Sequence, residues 1–184
     1  IVDEFTLLYF HSGAWRNVTW MGKSLGKVPT DMIVQAELIY NLKPDTIIEC
    51  GTGAGGSALF YYCCSAAAGK SAKVISIDVV DNANRPTYGT VIFVEGDCVD
   101  LSTFERVKNL VAGVTLVILD AGNKKDHVLK EMQLYSTLVS VGSYLIVDDT
   151  VIGRELRPSA FPGPAEAVEE FLKTQSEVPD DKRV

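Results

Sequence analysis

Apolar positions follow two alternating rhythms along this chain. Five short runs are almost continuously apolar and rich in β-branched residues: Thr46–Glu49, Val74–Val80, Val91–Glu95, Thr115–Leu119 and Ser143–Val147. Strands covered on both faces of a parallel sheet read this way, whereas half-exposed strands alternate. Between the runs, apolar residues recur every three or four positions, which predicts helices. Thr30 is placed to cap a helix through Ile33, Val34, Leu38 and Tyr40, stopped by Pro44. Ser57 to Ala68 predicts an apolar helix closed by Gly69. Ser102-Thr103-Phe104-Glu105 has the form of a capping box ahead of Val107, Leu110 and Val111. Val128, Met132 and Tyr135 share one face of a further helix, and Gly142 ends that unit. Pro164 suits the first turn of a last helix that buries Val168, Phe171 and Leu172. Strand and helix in repeated alternation predict an α/β fold: a doubly wound, mostly parallel sheet in a Rossmann-like αβα sandwich. Residues 1–29 precede the pattern and read as a cap or lid segment on the domain formed by 30–184.

Composition narrows the partners. At 184 residues the chain suits one domain, and its 47% hydrophobic and 22% charged content is ordinary for a globular protein. A formal net charge of −7 disfavours nucleic acid and anionic membrane surfaces. No apolar run reaches bilayer-spanning length, and Ile1-Val2-Asp3-Glu4 is unlike a signal peptide. A cytoplasmic protein acting on a small molecule is expected, with a homo-oligomer open. The four cysteines, Cys50, Cys63, Cys64 and Cys98, form no C-x-x-C pair and read as buried free thiols. With only two histidines and such spacing, no zinc site is predicted.

Doubly wound sheets bind ligands beyond the carboxyl ends of their strands, so chemistry is sought there. The first strand runs into Glu49-Cys50-Gly51-Thr52-Gly53-Ala54-Gly55-Gly56-Ser57. Gly51, Gly53 and Gly56 match the dinucleotide fingerprint G-x-G-x-x-G, a weak signal alone. Glu49 with Gly51, Gly53 and Gly55 matches the acid-x-G-x-G-x-G loop typical of class I methyltransferases. The acid favours the second reading, because a carboxylate there can meet the cationic methionine end of S-adenosylmethionine. Glu49, Gly51, Thr52, Gly53, Gly55 and Ser57 are thus candidate cofactor contacts. Asp78 ends the second strand, where a carboxylate can accept ribose hydroxyls. Asp97, in Glu95-Gly96-Asp97-Cys98, is placed to face the adenine. Asp120 ends the fourth strand and Asp148-Asp149 the fifth. Carboxylates gathered at one sheet edge repel one another, and a hard cation such as Mg2+ relieves this. Such a metal could chelate an acceptor hydroxyl and align it. Lys124 and His127 follow Asp120 and are candidate general bases beside it. Trp15, Trp20 and Met21 could cover the substrate or simply pack on the domain.

Further stretches accompany these: Trp20-Met21-Gly22, Lys27-Val28-Pro29-Thr30-Asp31-Met32 with Gln35, Lys43-Pro44-Asp45, Asp126-His127-Val128-Leu129, Gly142 to Thr150, and Gly163-Pro164. Over about residues 15 to 181 the chain resembles the cephalosporin hydroxylase/rhamnosyl O-methyltransferase family. The resemblance implies a class I methyltransferase fold, with S-adenosylmethionine and magnesium as cofactors and sugar hydroxyls or antibiotic intermediates as substrates. It implies that Gly51, Gly55 and Asp78 hold the cofactor and that Asp120, Asp148 and Asp149 hold the metal. Two positions depart from the family. Ala121-Gly122-Asn123 stands where Ser and then His are usual, and Asp148 stands where Glu is usual. The C-terminal antiparallel hairpin usual in class I methyltransferases is also missing, and with no initiator Met a fragment is expected. Two other classes remain. An NAD-dependent oxidoreductase would need a nicotinamide-facing Lys, Tyr or His in the second half, where no convincing one stands. A non-catalytic nucleoside-binding relative would keep the pocket alone.

Overall fold

The computed structural model of the chain describes residues 2–80, 85, 87–154 and 156–176. Five parallel strands form one sheet: β3 (Thr46–Cys50), β4 (Lys73–Asp78), β5 (Val91–Glu95), β6 (Thr115–Leu119) and β7 (Leu145–Val147). Their spatial order is β5-β4-β3-β6-β7. From β3 the chain winds first towards β5, then returns to β6 and β7 on the other side. The switch in strand order therefore falls between β3 and β6. Register lays Cys50 beside both Ile77 and Leu119, so the residues just past β3, β4 and β6 emerge together.

The two-residue period of a strand divides the core. Ile47, Val74, Leu116 and Ile118 face α2 (Pro29–Leu42) and α3 (Gly56–Ala67), through Ile39, Ala58 and Tyr61. Ile48, Ile75, Ile77, Val117 and Leu119 face α4 (Leu101–Lys108), α5 (Lys125–Tyr135) and α6 (Pro164–Ser176), through Phe104, Val107, Met132 and Phe171. β3 and β6 are buried at every position, which is why their sequences do not alternate.

Several boundaries differ from the sequence expectations. Val28, not Thr30, caps α2. Pro29 fills the first turn, where its missing N–H costs nothing, and the Thr30 hydroxyl donates to Asp31. Asp100 stands at the N-cap of α4, so Ser102 lies inside the helix and donates its hydroxyl to Asp100 at 2.5 Å. Val79 and Val80 lie past the end of β4 and are exposed. β7 begins at Leu145 rather than Ser143. Leu172 is 59% exposed, since its direction is one step round the helix from buried Phe171. Among the described residues no antiparallel strand follows β7 in the sheet; residues 177–184 lie outside them.

Before α2 come α1 (Val2–His11) and a small hairpin of β1 (Thr19–Trp20) and β2 (Lys23–Ser24). Leu7 and Phe10 pack on the cluster of Ile152, Leu156 and Ala160. Trp20 meets Phe60 edge-on, centroids 5.0 Å apart. The Tyr9 hydroxyl donates to the Lys27 carbonyl at 3.0 Å, which helps place Lys27 at the sheet edge.

Candidate active site

The glycine loop crosses the switch point. Gly51 has a φ of 98°, and a Cβ there would lie 2.3 Å from the Asp120 carbonyl oxygen. Glycine is needed because β3 and β6 exit in contact. Gly55 caps α3 in the left-handed region, φ 81°. Asp78 holds this loop: its Oδ2 accepts the Gly53 N–H at 2.8 Å and the Thr52 N–H at 3.1 Å, and Oδ1 accepts the Val80 N–H. The residue expected to meet a ribose thus also shapes the loop; a carboxylate has about four acceptor sites, so capacity remains.

Glu49 is fully buried. The Ser76 hydroxyl donates to its Oε2 at 2.5 Å and lies 2.7 Å from the Thr52 hydroxyl, while among the described residues Oε1 has no hydrogen-bond partner. Burial pushes its carboxyl up to about 7, against the opposing pull of Lys27 and of hydrogen bonds from Ser57 and Ser76. Ser57 is buried beside Glu49 and does not line the adjoining cleft. That cleft, about 190 Å³, is bounded by Gly51, Ile77, Asp78, Gly96, Asp97, Cys98, Ala121 and His127. The fold therefore brings Gly51, Asp78, Asp97 and His127 to one cavity. Asp97 is exposed at its rim, with Oδ1 taking the Val99 N–H.

On the other side of Gly51 stands the acidic edge. Lys27 is 4% exposed, and its ammonium donates to Asp120 Oδ2 at 2.6 Å and to Asp148 Oδ2. Gln35 donates to Asp148 Oδ1 at 3.0 Å and accepts from the Tyr61 hydroxyl at 3.2 Å. Burial lowers the Lys27 pKa, but Asp120, Tyr61, Asp148 and Glu49 together outweigh it and hold the ammonium well above its usual value. Asp149 sits in the left-handed region at φ 59°. Burial, then repulsion from Asp120 and Asp148, pushes its carboxyl up to about 7.

Lys27, Gln35 and Tyr61 carry no assigned role from sequence, although a lysine directly before Val28 and Pro29 becomes a signal once it is known to be buried. Among the described residues, Lys27 contacts Asp120 and Asp148 but not Asp149, and the three carboxylates do not all come within 4.8 Å of one another. Their all-oxygen chemistry suits a hard divalent cation, which would have to draw them closer. Such an ion would have to share Asp120 and Asp148 with Lys27. Lys124 is not part of this edge: its ammonium donates to the Ser159 carbonyl at 2.8 Å. His127 faces the nucleoside-sized cleft, where it lies 3.5 Å from the Cys98 sulfur. Beyond Asp149 lies a second cavity, about 370 Å³, with Trp15, Arg16, Asn123 and Arg157 in its wall.

An open parallel sheet wound outwards from β3, with a glycine loop and two clefts at the switch point, defines the class I methyltransferase type of α/β protein. Residues 12–184 match the family described as Rhamnosyl O-methyltransferase/CmcI, and the chain belongs to that family. It is 34% identical to the rhamnosyl O-methyltransferase of Mycobacterium tuberculosis, over 98% of this chain and 76% of that protein. A structure of CmcI with Mg and SAM superposes with a TM-score of 0.67 at 24% identity, over 89% of this chain and 68% of CmcI. The MycE methyltransferase of the mycinamycin pathway, in complex with Mg, SAH and mycinamycin VI, gives 0.61 at 17% identity, over 80% and 42% of the two chains.

Proposed function

We propose that this protein transfers the methyl group of S-adenosylmethionine to a hydroxyl of a sugar or natural-product acceptor, assisted by Mg2+. The observation that carries the reading is the position of the cleft of about 190 Å³ and of the Asp120–Asp148 edge on either side of Gly51. Family membership supports it, and the CmcI and MycE structures hold Mg with SAM or SAH.

In the transfer, an acceptor oxygen lone pair forms the new C–O bond as the methyl–sulfur bond breaks in line. The sulfonium becomes a neutral thioether, and the acceptor oxygen passes its hydroxyl proton to solvent water. The chain's own work is placement. Asp78 sets the glycine loop, and the buried Glu49, outside the cleft lining, would act on that loop from behind through Ser76 and Thr52. Lys27 and Gln35 fix Asp148 and, in the case of Lys27, Asp120. Asp120, Asp148 and Asp149 would hold Mg2+, which when bound supplies Lewis-acid charge beside the acceptor hydroxyl. Trp15 offers an aromatic face to an acceptor in the cavity beyond Asp149. A small-molecule acceptor, a cytoplasmic setting and free thiols at all four cysteines complete the reading.

The test is Asp120→Ala. Mg2+-dependent methyl transfer to a panel of glycosides and phenols should disappear, while affinity for S-adenosylhomocysteine should change by no more than about threefold, since that ligand's predicted contacts lie in the other cleft. Unchanged turnover would remove the metal from the mechanism. Preference for NAD over S-adenosylhomocysteine in a titration would replace the methyltransferase with an oxidoreductase.

A further inference from the structure

Along and beneath the cleft of about 190 Å³ the fold brings together four side chains able to ligate a metal, of which Cys98 and His127 also line the cleft. Cys50 ends β3, Cys98 lies in the turn after β5, and His127 and Glu131 stand one turn apart on α5. The Cys98 sulfur lies 3.0 Å from Glu131 Oε1 and 3.5 Å from His127 Nε2, and those last two atoms are 3.7 Å apart. The ligand atoms of Cys50, Cys98 and Glu131 all fall within 4.8 Å of one another. Tetrahedral bonds of about 2.0–2.3 Å place neighbouring ligand atoms roughly 3.3–3.8 Å apart. Two of the three measured separations fall in that range, and the Cys98–Glu131 distance of 3.0 Å lies below it.

A second observation is independent of this spacing. Glu131 is fully buried, and among the described residues its Oε2 has no hydrogen-bond partner. An unpaired carboxylate oxygen in a core is costly, and a cation is one way to satisfy it. The site is also held from outside: the Tyr135 hydroxyl donates to the Cys98 carbonyl at 3.0 Å, and His127 packs against Gly122.

We propose that Cys50, Cys98 and Glu131, with His127 approaching from the Cys98 side, form a binding site for a thiophilic divalent cation, of which Zn2+ fits the donor set best. Two sulfurs, an imidazole and a carboxylate suit Zn2+, whereas the aspartate edge, all oxygen, suits Mg2+. The two sites share no residue. Cys98 and His127 also line the cleft, so an ion here would stiffen that wall.

Co2+ is the probe. Protein stripped with a chelator and kept in Mg2+ is titrated with Co2+. A near-ultraviolet thiolate-to-cobalt charge-transfer band and strong visible bands of tetrahedral Co2+ should grow, saturate stoichiometrically with the chain, and vanish on adding Zn2+. Cys98→Ser and His127→Ala should each lose most of the band, as should Glu131→Gln if one of those variants folds poorly by circular dichroism. Cys63→Ser, Cys64→Ser and Asp148→Asn should keep it. No charge-transfer band in the wild type overturns the site, leaving thiols that only share protons. A band that survives Cys98→Ser, or one lost in Cys63→Ser, overturns it equally by locating the ion elsewhere.

Discussion

Single residues here carry opposite electrostatic burdens. Glu49 is buried with one oxygen unpartnered, so the folded state holds its proton more tightly than the unfolded chain does. With a folded value of about 7 against 4.5, its contribution to stability is full below the unfolded value and declines as pH rises between the two. At about 1.4 kcal/mol per unit, roughly 3 kcal/mol is lost across that window. Glu49→Gln keeps the shape and removes the titration. Denaturant unfolding at pH 5 and pH 8 should therefore show wild type losing more stability than the variant. Equal losses would mean that Glu49 ionises freely in the fold. The acid itself is legible in the sequence as an anomaly within an apolar strand. Its partners are not, because Ser57 and Ser76 reach it only through the fold.

At the scale of elements, the N-terminal hairpin is tied to the glycine loop. A Cβ at Gly56 would lie 2.2 Å from the Ser24 carbonyl, which is backbone and cannot turn aside. Gly56→Ala should unseat β1 and β2 from α3, and limited proteolysis should then cut within residues 19–26 faster than in wild type. An unchanged digest would show that the loop absorbs the methyl group. The sequence identifies Gly51, Gly53, Gly55 and Gly56 as a unit but assigns them all to a ligand. In the structure Gly51 and Gly56 answer to other parts of the backbone, Asp120 and Ser24. Capping was less legible for a related reason. Thr30 and Ser102 have the right chemistry, yet Pro29 and Asp100 begin their helices one or two residues earlier, and short side chains with several available partners leave such boundaries open.

Across the whole molecule, charge is balanced between distant segments. Lys27 lies 93 residues from Asp120 and 121 from Asp148. Removing a buried partner leaves charges uncompensated at a cost of about 3–5 kcal/mol. Lys27→Met should thus lower the melting temperature of metal-free protein, and Mg2+ should raise it more in the variant than in wild type, because two carboxylates then face the ion without competition. Identical Mg2+ shifts in the two proteins would separate Lys27 from the cation site.

The sequence by itself determined the order of strands and helices, the parallel sheet and the acids at its carboxyl edge. Burial on both faces and the two-residue period of strands are local properties, written in consecutive residues. Only the tertiary structure decided what those acids meet. Lys27 enters between Asp120 and Asp148, Asp78 turns back to the loop amides, and Lys124 leaves for Ser159. Cys50, Cys98 and Glu131, whose spacing predicts no metal site, come within 4.8 Å of one another because β3, the turn after β5 and α5 pack around one core. Electrostatic partners are chosen by distance through space, and linear spacing does not encode that distance.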